Sequence, residues 1–404
     1  MATNHKRNSI MKTKILGLAL FALTLGAVVY YPSIQANTID PGVGSQVSSH
    51  QQPVVDVVFV LDTTGSMSGL IETAKEKIWS IATTMASAQP TPKIRIGLVG
   101  YRDHGDTYVT KVVDLSEDLD SVYANLMDFQ AGGGGDTPES VNKALFDAVH
   151  NMSWSDRDQA YQVVFLVGDA PPHMDYNEVK YPAIIAAANQ KGIVINTIQC
   201  GNLPMTVDPW TTIASLGHGN FFQVEQGGSA VAYTTPYDTE IAELSAKLDG
   251  TRLYYGSDED KKRMEDKVAA AEEIVVTASV SSQARRGVFN AAAGGRGNLL
   301  GSNELVSAVA SGEVELVELA PEALPATLKP MAPEEQAAYI SQLADERADI
   351  QQRIRALADD RDEFLAKKVE EAGGLEDSLD QKLYETVKEQ AGKVGFEYKD
   401  GPAY

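Results

Sequence analysis

Four stretches of this chain are almost wholly apolar: 54–61, 93–100, 161–168 and 193–198. Runs of this length, rich in Val, Ile and Phe, read as strands buried on both faces. Between them the apolar residues recur at helical spacing, as in Val141, Ala144, Leu145, Ala148 and Val149. Helices are predicted near 68–88, 117–129, 138–151, 177–191, 209–216 and 237–248. Two shorter strands are predicted near 107–113 and 220–224. Strands alternating with helices predict a doubly wound α/β fold, its mainly parallel sheet covered on both faces. The tight pair within 93–113 supplies one antiparallel edge strand.

The pattern changes after Gly256. Residues 257–285 are charged and alanine-rich and read as one long helix, and the glycines of 294–301 read as a flexible break. A short helix is predicted over 303–310, then a loop punctuated by Pro321, Pro325 and Pro330. From Pro333, residues Ile340, Leu343, Arg347, Ile350, Ile354, Leu357, Arg361 and Phe364 step alternately by three and four. That is heptad spacing with arginine at two seam positions. Gly373-Gly374 interrupts it, and 377–391 forms a further helix. The α-helical C-terminal region is therefore expected to contain a coiled-coil hairpin packed on itself, either an autonomous appendage or a surface for binding a partner or for self-association. The two arginines require acidic partners.

Three loops at predicted strand ends carry oxygen donors. Asp62-Thr63-Thr64-Gly65-Ser66 follows the first strand. Gly132 to Gly135, then Asp136-Thr137-Pro138-Glu139-Ser140, precedes a helix, with Asp136 or Thr137 as its expected cap. Four glycines let that loop approach something closely. Asp169 follows the strand 161–168. Carboxylates with hydroxyls suit a hard divalent cation, and ligands of open α/β sheets bind at this end of the strands. A capped turn alone explains the first loop equally well; the other two tip the balance.

Together the three loops resemble the von Willebrand factor A (VWA) domain and its metal-ion-dependent adhesion site, as in integrin I domains. The resemblance covers roughly 53–247. The family's Asp-x-Ser-x-Ser reads here as Asp62, Thr64 and Ser66, with one serine replaced by threonine. Its Asp after a buried strand is matched by Asp169. Its middle threonine aligns with Gly135, which has no side chain, so Asp136 or Thr137 is the candidate ligand there. The resemblance implies a divalent cation, most simply Mg²⁺ with Mn²⁺ or Ca²⁺ as alternatives. It also implies a protein partner that presents an Asp or Glu to the metal. The C-terminal extension is similar in general character to that of exported bacterial VWA proteins.

Composition narrows the partners. The 404 residues allow two domains, expected as 53–249, then a connector over 250–332 and the helical region 333–404. A net charge of −22 argues against nucleic acid or anionic lipid as a partner. His5, Lys6, Arg7, Lys12 and Lys14 precede an apolar run over 15–30. Residues 1–36 therefore read as an export signal or an uncleaved N-terminal membrane anchor, with cleavage expected after Ala36. Either places the folded part outside the cytoplasm: periplasmic, secreted or anchored. Loss of 1–36 removes four Lys and Arg and no acids, moving the charge from −22 to −26. Residues 37–52 read as a linker. Cys200 is the only cysteine, so no intrachain disulfide forms, and it reads as a small buried residue.

The expectation is a non-enzymatic, metal-dependent protein-binding module of the cell envelope. A metal-dependent hydrolase is the rival, with Asp103, His104 or His173 as base; a structural envelope protein with a stabilising metal is the third reading. No paired histidine spacing supports zinc.

Overall fold

The computed structural model describes residues 52–135, 137–156, 160–226, 233–371, 379–398 and 401. The export-signal reading of 1–36 and all but the end of the linker 37–52 lie outside these residues. So does Asp136. Among the described residues, no helix is long and apolar enough to cross a membrane.

The first part of the chain runs β1 (Val54–Asp62), α1 (Ser68–Ala86), β2 (Lys93–Tyr101), β3 (Thr110–Ser116), α2 (Leu119–Met127) and α3 (Val141–His150). It continues β4 (Ala160–Gly168), α4 (Tyr181–Gln190), β5 (Val194–Cys200), α5 (Pro204–Leu216), β6 (His218–Val224) and α6 (Asp238–Asp249). The six strands lie in the order β3-β2-β1-β4-β5-β6. All pairs are parallel except β2 with β3. The predicted doubly wound sheet with one antiparallel edge is what the chain forms.

Every residue of β1 is buried, because β1 lies mid-sheet with helices on both faces. Val55, Val57, Phe59 and Leu61 face a core built with α1 and α2. Val58 and Val60 face a second core with α3, α4 and α5. Asp56, in the middle of the strand's apolar run, is fully buried. Arg95 on β2 donates to both of its oxygens at 2.8 Å, so the buried charge is paired. The chain passes from β1 to β2 and β3 on one side and returns to place β4 on the other side of β1, so the strand order reverses there and opens a crevice at the carboxyl ends of β1 and β4.

The C-terminal half forms α7 (Asp258–Thr277), α8 (Val280–Ala291), α9 (Arg296–Leu300), α10 (Leu305–Ala310), α11 (Pro333–Glu371) and α12 (Leu379–Gly392). The single helix expected over 257–285 is two. Ala278 turns to extended backbone, and Ser279 caps the restart by accepting from the Ser282 amide at 3.1 Å. The glycine stretch expected as a flexible break carries α9.

Both C-terminal helices are present, but among the described residues their main partners lie elsewhere in the chain. α11 packs against α6, α8 and α10. Arg347 donates to both oxygens of Glu304 at 2.9 Å and to the Thr251 carbonyl at 2.7 Å. Arg361 donates to Asp238 at 3.0 Å. The seam arginines thus find their acids in the segments upstream.

α12 lies on the sheet. Its Leu383, Tyr384 and Val387 share a core with Phe165, Ile198 and Val224. Gln390 accepts from the Tyr161 hydroxyl at 2.7 Å and exchanges bonds with Asn196 at 3.1 and 2.8 Å. Beyond it, Glu397 pairs with Gln89 through two backbone bonds of 2.8 and 2.9 Å. A boundary near Asp249 therefore cuts through a shared core. Helical periodicity shows that a face is buried, not what buries it.

Candidate metal site

The site starts where β1 ends. Asp62 is fully buried, and its Oδ1 accepts from the Thr64 amide at 2.8 Å and the Thr64 hydroxyl at 2.7 Å. The Thr64 and Ser66 hydroxyls lie 3.3 Å apart. These bonds fold 62–66 so that one carboxylate and two hydroxyls converge. Among the described residues, Asp62 Oδ2 has no hydrogen-bond donor although it is buried. An unpartnered buried acceptor is costly unless something absent satisfies it.

Asp169 follows β4 directly, on the strand beside β1. Its Oδ2 accepts from Gln226 Nε2 at 2.8 Å, and the same amide reaches the Ser66 carbonyl at 3.3 Å. Gln226 thereby ties the first loop to the third. Nothing in the sequence singled it out; it stands two residues beyond β6. Gly168 allows the close approach: a Cβ there would meet the Tyr101 hydroxyl at 2.4 Å and Asp62 Oδ2 at 3.1 Å.

The glycine loop approaches the first loop, as expected. Gly65 N–H donates to the Gly133 carbonyl at 3.2 Å and Gly132 N–H to the Thr63 carbonyl at 3.1 Å. Gly133 and Gly134 take φ of +73° and +72°, which favours glycine. A Cβ on Gly134 would stand 3.0 Å from Thr64 Cβ and 3.3 Å from Glu139 Oε1. The loop is braced from the other side by Asp106, whose Oδ2 accepts from Gly134 N–H at 3.0 Å.

Thr137 lines the site, whereas Asp136 lies outside the described residues. Neither is the residue from which α3 starts. That position is Ser140, and its hydroxyl donates to Asp103 at 2.7 Å rather than capping the helix. The reason is a backbone bridge. Glu139 N–H donates to the Pro171 carbonyl and His173 N–H to the Glu139 carbonyl, each at 3.0 Å, which holds 139 extended. The Glu139 side chain lines the site, where its Oε2 is buried without a partner among the described residues. By its sequence alone, Glu139 reads as an acid in the first turn of the helix predicted over 138–151.

Thr64, Ser66, Thr137, Glu139, Asp169 and Gln226 line one open cavity of about 670 Å³. Asp103, His104 and His173 do not line it. Asp103 accepts from Ser140 and Tyr176 at 2.7 Å each. His173 sits between Asp175 at 2.8 Å and Asp103 at 3.3 Å. His104 stacks near Tyr176, with ring centres 4.4 Å apart.

The electrostatics are those of a site short of positive charge. Burial first, and the Asp169 charge in addition, push Asp62 up to about 7 against the Thr64 hydrogen bonds. Burial, then the charges of Asp62, Asp103, Asp106 and Asp169, push Glu139 up to about 9. Among the described residues, no group of three or more His, Cys, Asp or Glu side chains is gathered as a metal cage. The donors instead mix carboxylates with hydroxyls, the set that suits a hard cation with some ligand positions left to water or partner.

Residues 56–213 match the family model described as von Willebrand factor A domain. This segment is a VWA domain. The family comprises metal-dependent protein-interaction modules that are generally non-catalytic. The chain is 31% identical over 129 residues to the putative ariadne-like RING finger protein R811 of Acanthamoeba polyphaga mimivirus, covering 31% of this chain and 12% of that protein. It is 23% identical over 233 residues to the alpha-protein kinase vwkA of Dictyostelium discoideum, covering 57% and 34% respectively. The chain thus spans an eighth to a third of the length of these relatives. Among solved structures, the SpRpn10 VWA domain aligns with 43% of this chain and 89% of its own, at 14% identity and TM-score 0.33. Proximal thread matrix protein 1 from the mussel byssus, with a zinc-occupied MIDAS motif, aligns with 43% and 42%, at 17% identity and TM-score 0.34.

Proposed function

We propose that the VWA domain binds a divalent cation through Asp62, Thr64, Ser66 and Asp169, and uses it to hold a carboxylate of a protein partner. One observation carries this reading. Asp62 Oδ2 is buried with no partner among the described residues, and behind it Thr64, bonded to Asp62, and Ser66 line a cavity also lined by Asp169, at adjacent strand ends. The cation supplies the positive charge the cluster lacks. Thr137 is a fifth candidate donor by its place in the cavity wall. Mg²⁺ is favoured because oxygen donors with few charges leave room for its own waters. In this reading the domain acts outside the cytoplasm, as the basic, apolar start of the chain suggests.

Calorimetric titration with Mg²⁺, Mn²⁺ and Ca²⁺ tests the site. Asp62→Ala is expected to abolish binding, and Thr64→Ala to weaken it less, since it removes a neutral donor. An Asp62→Ala protein that binds as well as wild type sinks the proposal. Pull-down from envelope extract with Mg²⁺, then with chelator, tests the partner: capture that ignores chelation excludes metal-mediated docking.

A further inference from the structure

We propose that the C-terminal half carries a binding site for a small organic dicarboxylate, in a cavity walled by α8, α9, α10 and α11. The cavity measures about 350 Å³, a volume within the range of small-molecule sites. No residue lines both it and the metal site. Small side chains open it. Ala291 ends α8, Ala310 ends α10, and Ala344 and Ala348 stand one turn apart on α11. Alanine at these places leaves the junction of the helices unfilled.

Three arginines line this cavity and, among the described residues, no acid does, in a chain of net charge −22. Arg347 is engaged by Glu304. Arg296 donates to the Ser307 hydroxyl at 2.6 Å and Arg355 Nη1 to the Ala291 carbonyl at 3.1 Å. Both partners are uncharged, and neither arginine forms an ion pair among the described residues. Arg355 is the exception on its own helix: Arg347, Arg353 and Arg361 pair with Glu304, Glu240 and Asp238. Arg296 also borders a neighbouring cavity that holds Glu117 and Glu304, but these pair with Lys93 and Arg347. The single bonds that Arg296 and Arg355 make hold each guanidinium in place and leave N–H groups over, since each has five. Such planar forks bind carboxylates through paired N–H···O bonds. Two of them on different elements call for two carboxylates. Buried Leu299, Leu300 and Val306 in the same wall suit the methylenes between.

Calorimetric titration with succinate and glutarate tests the site, on protein stripped of metal and dialysed free of chelator so that no cation captures the probe. Wild type is expected to bind. Arg296→Gln and Arg355→Gln are each expected to weaken binding about tenfold or more, the loss of a charge-assisted pair. Arg353→Gln removes the same charge from α11 outside the cavity and is expected to bind as wild type does. Ala348→Leu fills the space without touching a charge and is expected to abolish binding. Asp62→Ala is expected to bind like wild type. No binding of either probe by wild type overturns the proposal, as does retained binding in Ala348→Leu. Equal losses in Arg353→Gln and Arg355→Gln would mark a general charge effect, and loss in Asp62→Ala would move the probe to the metal site; either overturns it. Inorganic phosphate binding as tightly as succinate would make this a bare anion site and overturn the dicarboxylate assignment.

Discussion

Asp62 makes the metal-free protein sensitive to pH in a calculable way. Its carboxyl is fully buried and rises from 3.8 to about 7. At about 1.4 kcal/mol for each tenfold change in proton affinity, that corresponds to about 4 kcal/mol. The unfolded chain releases this proton near pH 4, whereas the fold keeps it until about 7. Between those values the folded state binds more protons, so stability falls as pH rises and is lost through the folded value. Asp62→Asn removes the titration. It places an amide donor where Oδ2 already lacks a partner, at a cost of about 1–3 kcal/mol that is the same at every pH. The slope, not the offset, therefore reports on Asp62. Urea unfolding in chelator from pH 4.5 to 7.5, which spans most of this range, is expected to show wild type losing about 3 kcal/mol more than Asp62→Asn. Saturating Mg²⁺ is expected to reverse the wild-type trend, because the ion stabilises the ionised carboxylate. Parallel slopes for the two proteins in chelator would refute the reasoning.

Other sites give independent checks. Arg347→Met leaves Glu304 buried with only its backbone bonds, and is expected to cost about 3–5 kcal/mol by urea unfolding; a change under about 1 kcal/mol contradicts the buried fork. Gln390→Leu strips partners from the Tyr161 hydroxyl and the Asn196 amide, so a loss on the order of 2 kcal/mol in thermal melts is expected. Gly134→Ala forces a left-handed backbone on alanine at roughly 1–2 kcal/mol and crowds Thr64. Calorimetry should show weakened cation binding as well, and full affinity would mean that Thr64 is not a ligand.

The parts legible in sequence are those whose meaning is local. Asp62, Thr64 and Ser66 are two residues apart at the end of an apolar run, so their convergence follows from one turn. Asp169 ends a second such run, and the alternation of strands and helices places it beside the first. The place of Glu139 at the site was not legible, because the bridge that holds its backbone extended runs to Pro171 and His173 in another loop. Gln226 is likewise a long-range tie, bonded to an acid 57 residues away. The C-terminal helices illustrate the same limit. Heptad spacing located α11, and the seam arginines called for acids, but Glu304 and Asp238 lie outside any hairpin. Nothing local distinguishes a helix that covers its neighbour from one that covers a sheet.

The placement of α12 has a consequence for how the protein is made. Tyr161 and Gln390 are 229 residues apart, and the Tyr398 hydroxyl reaches Met85 across 313. A chain emerging from its amino end completes all six strands long before the helix that seals one sheet face exists. Until Leu383, Tyr384 and Val387 are made, Phe165, Ile198 and Val224 lack the cover that α12 gives them, and the domain cannot reach its final stability. Contacts this distant slow folding and prolong exposure of apolar surface.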